Sequence, residues 1–213
     1  MVHNVGCPVG DYIKSLPDNL KNKDIEGGIG CEIDLNKPYL LVIFHPVTTK
    51  FIERNDIRNV LNVLNRINMQ TIWLWPNIDA GSDFFSKEIR RFREKNKNLK
   101  NIFFYKNFSP EEYACILKNS SCILGNSSSG IREASYLGIP CVNIGNRQSF
   151  RERGKNVLDV DYSSNKIVNA VLKQFDRKFK KNNLYGDGKA GARIAKILSN
   201  CKLDIIKKLN YLK

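Results

Sequence analysis

At 213 residues the chain is long enough for one well-cored domain, with or without terminal extensions. Hydrophobic residues make up 42% and charged residues 26%, and no apolar run approaches the roughly 20 residues that span a bilayer, so a globular protein is expected and a membrane-spanning one is not. The 35 Lys and Arg against 21 Asp and Glu leave a net charge of +14, which suits an anionic partner (nucleic acid, an acidic membrane, a phosphorylated small molecule) without choosing among them.

Taken in chain order, residues 1–36 contain Gly6, Pro8, Gly10, Pro17, Gly27, Gly28 and Gly30 and show weak periodicity, so they read as a connector. Met1-Val2-His3-Asn4 opens neither a basic leader nor the apolar region of a signal peptide, and a cytoplasmic location is the expectation. From about Lys37, short β-like runs alternate with helical patterns, the order of a parallel sheet covered by helices. The runs are Tyr39-Leu40-Leu41-Val42-Ile43, Thr71-Ile72-Trp73-Leu74-Trp75, Asn101-Ile102-Phe103-Phe104-Tyr105, Cys122-Ile123-Leu124, Cys141-Val142-Asn143-Ile144 and Val157-Leu158-Asp159-Val160. Ile57, Val60, Leu61, Leu64 and Ile67 recur at helical spacing and predict an amphipathic helix over 52–67. Phe85, Ile89 and Phe92 stripe a second, and Ser109-Pro110-Glu111-Glu112 opens a third with an N-cap, a proline at N1 and a glutamate at N3. Two more helices are expected over 164–175 and 190–198. Cys7, Cys31, Cys115, Cys122, Cys141 and Cys201 lie in apolar surroundings with no C-x-x-C pair, so reduced and mostly buried thiols are expected. With only His3 and His45 and no Cys/His grouping, no metal site is expected.

Ligands of an open parallel sheet bind beyond the carboxyl ends of its strands, and here four such exits are polar. They are Phe44-His45-Pro46-Val47-Thr48-Thr49, Pro76-Asn77-Ile78-Asp79-Ala80-Gly81-Ser82, Gly125-Asn126-Ser127-Ser128-Ser129-Gly130-Ile131-Arg132-Glu133 and Gly145-Asn146-Arg147-Gln148. The third runs from a glycine and three serines straight into a helical pattern, offering backbone N–H groups and hydroxyls to a phosphate; taken alone it reads equally as a serine-rich cap with nothing bound. Glu133, one turn into that helix, suits a pair of ribose hydroxyls or simple dipole compensation. His45 is placed to donate to a departing phosphate, although a lone histidine is more often structural. Arg147 suits a phosphate, a uracil carbonyl or a surface ion pair, and Asn77 with Asp79 suits a ligand contact or a turn and helix cap.

At these residues, together with Gly6-Cys7-Pro8 and Arg151-Glu152, the sequence resembles the hydrolysing UDP-N-acetylglucosamine 2-epimerases of sialic acid and capsule pathways, over nearly its whole length. Non-hydrolysing relatives carry a Gly-Gly-rich, Glu-Glu-containing loop where this chain has Ser127-Ser128-Ser129-Gly130 and Arg132-Glu133. The resemblance implies an α/β, Rossmann-like parallel sheet with helices on both faces, like the C-terminal half of a glycosyltransferase-B-like fold. The division it suggests is a connector remnant over 1–36, a nucleotide-binding domain over 37–188 and a helical tail over 189–213. It also implies a reaction: UDP leaves UDP-N-acetylglucosamine to give 2-acetamidoglucal, and water adds to give N-acetylmannosamine. By this likeness Ser127 and Ser128 hold the diphosphate, Glu133 the ribose and Arg147 a group of UDP, with Asn77, Asp79, Gly125 and Asn126 around them, while His45 acts on the leaving phosphate. The family's N-terminal half supplies the carboxylates that work at C2. The expectation is therefore a chain that binds UDP and UDP-N-acetylglucosamine, takes no cofactor, and epimerises only when a separate N-terminal chain completes it; self-association is expected of the full-length enzyme. Two other readings stay open: a nucleotide-binding half of a glycosyltransferase, and a basic nucleic-acid-binding module, which would need exposed aromatics among clustered Lys and Arg.

Overall fold

A computed structural model of the chain describes residues 2–16, 28–29, 33–48, 54–97 and 100–201. Six four-residue strands form at the expected places: β1 Leu40–Ile43, β2 Thr71–Leu74, β3 Ile102–Tyr105, β4 Cys122–Gly125, β5 Cys141–Ile144 and β6 Val157–Val160. All pair in parallel in the order β3-β2-β1-β4-β5-β6, with Leu40 opposite both Thr71 and Cys122. The strands are near-continuous apolar runs because both faces of the sheet are covered; every position of β1, β3, β4 and β5 is buried.

The helices among the described residues are α1 Val9–Ser15, α2 Arg54–Ile67, α3 Ser82–Lys95, α4 Pro110–Asn119, α5 Glu133–Leu137, α6 Ser164–Gln174 and α7 Ala190–Ser199, of which α2 to α6 cover the sheet. Side chains alternate across a strand, so β1 feeds two cores. Leu40 and Val42 pack with Ile57, Val60 and Leu64 of α2, Ile89 of α3 and Ile167 of α6. Leu41 and Ile43 pack with Ile116 and Leu117 of α4 and Ala134 of α5. Burial of each of these aliphatic side chains contributes about 2 kcal/mol. The expected capping box on α4 is present: Ser109 Oγ accepts from the Glu112 N–H at 3.2 Å and the Glu112 carboxylate accepts from the Ser109 N–H at 2.7 Å. The first two residues of the expected 52–67 helix lie outside the described residues. Among the described residues no helix is long and apolar enough to cross a membrane.

Two expectations need correction. The thiols are less buried than the apolar surroundings suggested: Cys122 and Cys141 are buried, Cys7 and Cys115 half-buried and Cys201 exposed, while Cys31 lies outside the described residues. The serine-rich segment does not run straight into a long helix either. It makes a 3₁₀ turn over Ser128–Gly130, and only then the five-residue α5, ended by Gly138 in the left-handed region at φ 75°. Gly130 sits directly against Cys141 Sγ, where a side chain would not fit, so the tight turn lets this segment hug β5. The aligned peptide dipole is correspondingly short, and anion binding here must rest on individual donors more than on a long helix.

The segment expected to be only a connector contains α1, and it meets the expected tail. Lys189, at the start of α7, makes no side-chain cap, but the Asp11 carboxylate accepts from the Ala190 and Gly191 N–H groups, both at 2.9 Å. Arg193 donates to the Val5 carbonyl at 3.2 Å and pairs with Asp187 at 2.7 Å. The Cys7 N–H donates to the Tyr185 carbonyl at 2.6 Å. Apart from the Arg193–Asp187 pair, these bonds join residues about 180 apart in sequence, which local periodicity does not reveal.

The chain reverses direction across the sheet between β3 and β4, so β1 and β4 lie side by side while their exits lead to opposite faces, toward α2 and α5. A crevice forms where such exits diverge. Gly125 lets the two strands close on each other there: it stands opposite Ile43 at φ 144°, and a Cβ would drive into the Ile43 carbonyl oxygen. Replacing Gly125 with Ala is expected to cost about 3 kcal/mol, read as a lower urea midpoint with unchanged slope; a midpoint equal to that of the parent protein would show that the close approach is not required.

Candidate functional site

Asn126, the first residue after β4, is fully buried, and its side chain clasps the backbone of the residue leaving β1. Its carboxamide oxygen accepts from the His45 N–H and its amide donates to the His45 carbonyl, both at 2.8 Å. Its own N–H donates to the Ile43 carbonyl at 3.1 Å. Its carbonyl oxygen then gathers the exit of β5, accepting from Gln148 Nε2 at 2.8 Å and Arg147 Nη1 at 3.2 Å. The exit of β2 joins through His45, whose Nδ1 accepts from the Asn77 N–H at 3.3 Å, and through Asp79, whose carboxylate lies 3.9 Å from Arg147 Nη2. His45, Asn77, Asp79, Asn126 and Arg147 thus form one bonded group drawn from four strand exits.

The other site candidates follow Asn126 along the chain. Ser127 and Ser128 are half-buried, and Ser127 Oγ accepts from the Ser129 N–H at 3.3 Å. Glu133 is buried; Ser129 Oγ donates to its Oε1 at 3.4 Å, and Arg132 Nε lies 3.6 Å from its Oε2. Neither Arg132 Nε nor Glu133 Oε2 has a hydrogen-bond partner, and the same holds for Gln148 Oε1. Buried polar atoms without partners are costly, and here they cluster beside residues chosen as ligand contacts on independent grounds. Gly125 is buried behind the turn and carries backbone geometry alone.

Electrostatics give His45 a defined state. Burial pushes its pKa down to about 4, the nearby Arg147 guanidinium adds to the fall, and Asp79 opposes both. The imidazole is therefore neutral near pH 7, and because Nδ1 accepts from Asn77, the proton resides on Nε2. A neutral N–H donor close to a guanidinium can stabilise developing negative charge on a phosphate oxygen.

Sequence reasoning selected the residue types of this group but not their division of labour. Asn126 was expected among the UDP contacts, yet both ends of its carboxamide are committed to the His45 backbone. For Gln148, Ser129 and Arg132 the sequence carries only the density of hydrogen-bonding side chains after β4 and β5, which does not say which of them face inward. Phe150, at the end of the same β5 exit, is fully exposed with φ 66°.

The family model described as UDP-N-acetylglucosamine 2-epimerase matches residues 1–199. The chain is 33% identical over 181 residues to the UDP-N,N'-diacetylbacillosamine 2-epimerase (hydrolyzing) of Legionella pneumophila, covering 83% of this chain and 47% of that protein. It is 33% identical over 182 residues to the polysialic acid biosynthesis protein P7 of Escherichia coli, covering 84% of this chain and 44% of that one. In fold it is similar to the UDP-GlcNAc 2-epimerase of Methanocaldococcus jannaschii in complex with UDP-GlcNAc and UDP, with a TM-score of 0.69, 20% identity, and coverage of 92% of this chain and 54% of that one. The chain spans about half the length of the curated relatives it matches. With its doubly covered parallel sheet, its four converging strand exits and a match over residues 1–199, the chain belongs to the UDP-N-acetylglucosamine 2-epimerase family.

Proposed function

We propose that residues 37–188 are the UDP-binding half of a hydrolysing sugar-nucleotide 2-epimerase, with UDP held in the crevice between the exits of β1 and β4. The observation that carries this reading is the bonded group around Asn126, which sets the neutral His45 and the Arg147 guanidinium side by side at the crevice. In the reaction, a proton leaves C2 of UDP-N-acetylglucosamine, the C1–O bond breaks with its electron pair going to UDP, and water adds to the resulting glycal to give N-acetylmannosamine. His45 Nε2–H and Arg147 receive the charge that develops on the departing diphosphate. The Ser127 and Ser128 hydroxyls donate to its other oxygens, and Glu133 accepts from the ribose. Asn77 and Asp79 bound the site on the β2 side. Proton removal at C2 needs a base, and the carboxylates that converge here have other partners: Asp79 faces Arg147, and Glu133 is held by Ser129. The base belongs to a second domain, from a separate chain or the same one.

The name of the Legionella relative favours a second reading of the sugar, in which the substrate is UDP-N,N'-diacetylbacillosamine; the nucleotide half of the site serves both. A glycosyltransferase reading keeps UDP binding and differs in product, since the sugar would pass to an acceptor and no glycal would form.

Titration calorimetry with UDP is the direct test. Micromolar binding is expected, and Glu133→Ala should weaken it by about tenfold or more while leaving the melting temperature within a degree or two. No binding, or unchanged affinity in the variant, would remove this assignment. Incubation of the 213-residue chain with either UDP-sugar should release no N-acetylmannosamine-type product, and robust turnover would overturn the need for a second domain.

His45 supplies a pH signature. An unfolded histidine titrates near 6.5, so between that value and about 4 the unfolded chain holds a proton that the folded chain refuses. Stability from this residue is full above pH 6.5 and is lost as pH falls toward 4, on the order of 3 kcal/mol across the window. Urea unfolding at several pH values should show that slope and His45→Gln should flatten it. Bound UDP, being anionic, should raise the His45 pKa in an NMR titration; the same value with and without UDP would place the diphosphate away from the imidazole.

A further inference from the structure

The UDP reading uses one arginine and a neutral histidine, so the net charge of +14 has no part in it. A large share of that excess lies at the opposite edge of the sheet, where the strands begin. Hydrogen bonds stitch this edge together: the Thr71 N–H donates to the Asn101 carbonyl and the Leu40 N–H to the Gln70 carbonyl, both at 2.8 Å. The Ser121 N–H, just ahead of β4, donates to the Tyr39 carbonyl at 2.9 Å. The segment after α6 closes on the same edge, with the Asp176 N–H on the Ser121 carbonyl and the Phe179 N–H on the Gly138 carbonyl, both at 3.2 Å. This stretch carries Lys173, Arg177, Lys178, Lys180 and Lys181, all exposed, against Asp176. Lys95, Lys97 and Lys100, exposed where the chain passes from α3 into β3, stand against Glu94. None of these cations makes an ion pair among the described residues.

We propose that this strand-entry edge is a docking surface for an anionic phospholipid membrane, on which the protein sits peripherally with the strand exits turned away. The inference stands independently of the UDP reading. Helix dipoles do not account for the charge. Lys95 and Lys173 lie in the last turns of α3 and α6, where each helix offers about half a negative charge, but the others lie beyond the helices. The breadth of the edge points to an extended partner: four strand spacings, roughly 19 Å, separate β3 from β5, too wide for one phosphate and suited to a surface that carries many. Nucleic acid is the rival polyanion, and the side chains argue against it. Single-strand binding uses exposed aromatic rings, whereas Phe175 and Phe179 are half-buried here and the Arg177 guanidinium covers the Phe179 ring at 4.9 Å. The exposed apolar side chain is instead Leu172, in the last turn of α6 beside Lys173. An aliphatic tip among lysines suits the boundary between lipid headgroups and acyl chains. Four-residue strands put roughly 13 Å of sheet between this edge and the strand exits, so a membrane and a nucleotide can be held at once.

Vesicle flotation with the 213-residue chain tests this, using phosphatidylcholine alone and phosphatidylcholine with about one-third phosphatidylglycerol. The chain should float with the anionic vesicles only, and should be released as salt rises from about 0.1 M to about 1 M, where the screening length falls from roughly 10 Å to roughly 3 Å. Each lysine near the surface is worth about fivefold, so Lys178→Gln/Lys180→Gln/Lys181→Gln should weaken binding by on the order of 100-fold. A second triple variant of equal charge, Lys87→Gln/Lys106→Gln/Lys166→Gln, removes exposed lysines toward the strand exits and should bind within about threefold of the parent. Both variants should keep the parent's melting temperature and its response to UDP. Should the first fail to fold, Lys180→Gln/Lys181→Gln decides, with an expected loss of about 25-fold. Equal losses in the two triple variants would reduce the effect to net charge and overturn the proposal, as would a parent chain that does not float with anionic vesicles. A duplex oligonucleotide that binds more tightly than the vesicles at the same salt, and is lost in the first variant, would assign the edge to nucleic acid instead. A chain that floats as described without binding UDP leaves this proposal standing while the UDP reading falls.

Discussion

The two hydrogen bonds between the Asn126 carboxamide and the His45 backbone are the constraint from which the rest of the site follows. They span the place where the chain reverses across the sheet, with β1 and β4 adjacent and their exits parting toward opposite faces. Divergent exits give the crevice its room, but divergence alone would leave two loops free to move apart. The clasp replaces that freedom with a two-point contact inside a fully buried environment, where each bond faces little competition from water. Gly125 makes it possible by letting β4 approach Ile43 more closely than any side chain would permit. Arg147 and Gln148 then dock on the carbonyl of the same asparagine, so four strand exits share one geometric reference.

This placement also governs the charge of the site. The chain carries +14 overall, yet the behaviour of the crevice depends on very few groups. Arg147 is close enough to lower the affinity of His45 for a proton, and Asp79 is close enough to oppose it. Burial decides the contest, leaving a neutral imidazole whose orientation and tautomer are set by the Asn77 N–H. A donor that is neutral before a diphosphate arrives requires no counter-ion of its own, and it gains a reason to take up a proton only when anionic charge is beside it. Among the described residues the lysines, Lys180 and Lys181 among them, are exposed.

The sheet was legible because its signals are local. Continuous apolar runs bounded by polar exits mark strands covered on both faces, and Ser109 with Glu112 marks a helix start through contacts only three residues apart. The polar exits are local signals too, and the structure brings four of them together at one edge of the sheet. What local pattern could not supply were contacts between distant segments. Asp11 caps a helix that begins at Ala190, so the weak periodicity of the first residues concealed a docked helix. Asn126 reads as one more polar residue in a serine-rich loop until His45 is seen in its grasp. The shortness of α5 follows from Gly130 lying against Cys141, a partner on the next strand.

A crevice built on one edge of one sheet can do only part of the chemistry expected of a 2-epimerase. Leaving-group stabilisation requires donors that exist before charge develops, and these are best held by a rigid sheet; on the proposed function His45 and Arg147, fixed by the clasp, would be those donors. Proton removal from a weakly acidic carbon has the opposite requirement: a base poised close to C2 yet kept from pairing with the cations that hold the phosphates. Any carboxylate placed among the exits of β1, β2, β4 and β5 would be captured by Arg147, as Asp79 already is, or spent on a hydroxyl, as Glu133 is suited to be. On the proposed function, dividing the two tasks between opposed surfaces would resolve the conflict, because the base would then meet the sugar apart from the cations that hold the phosphates.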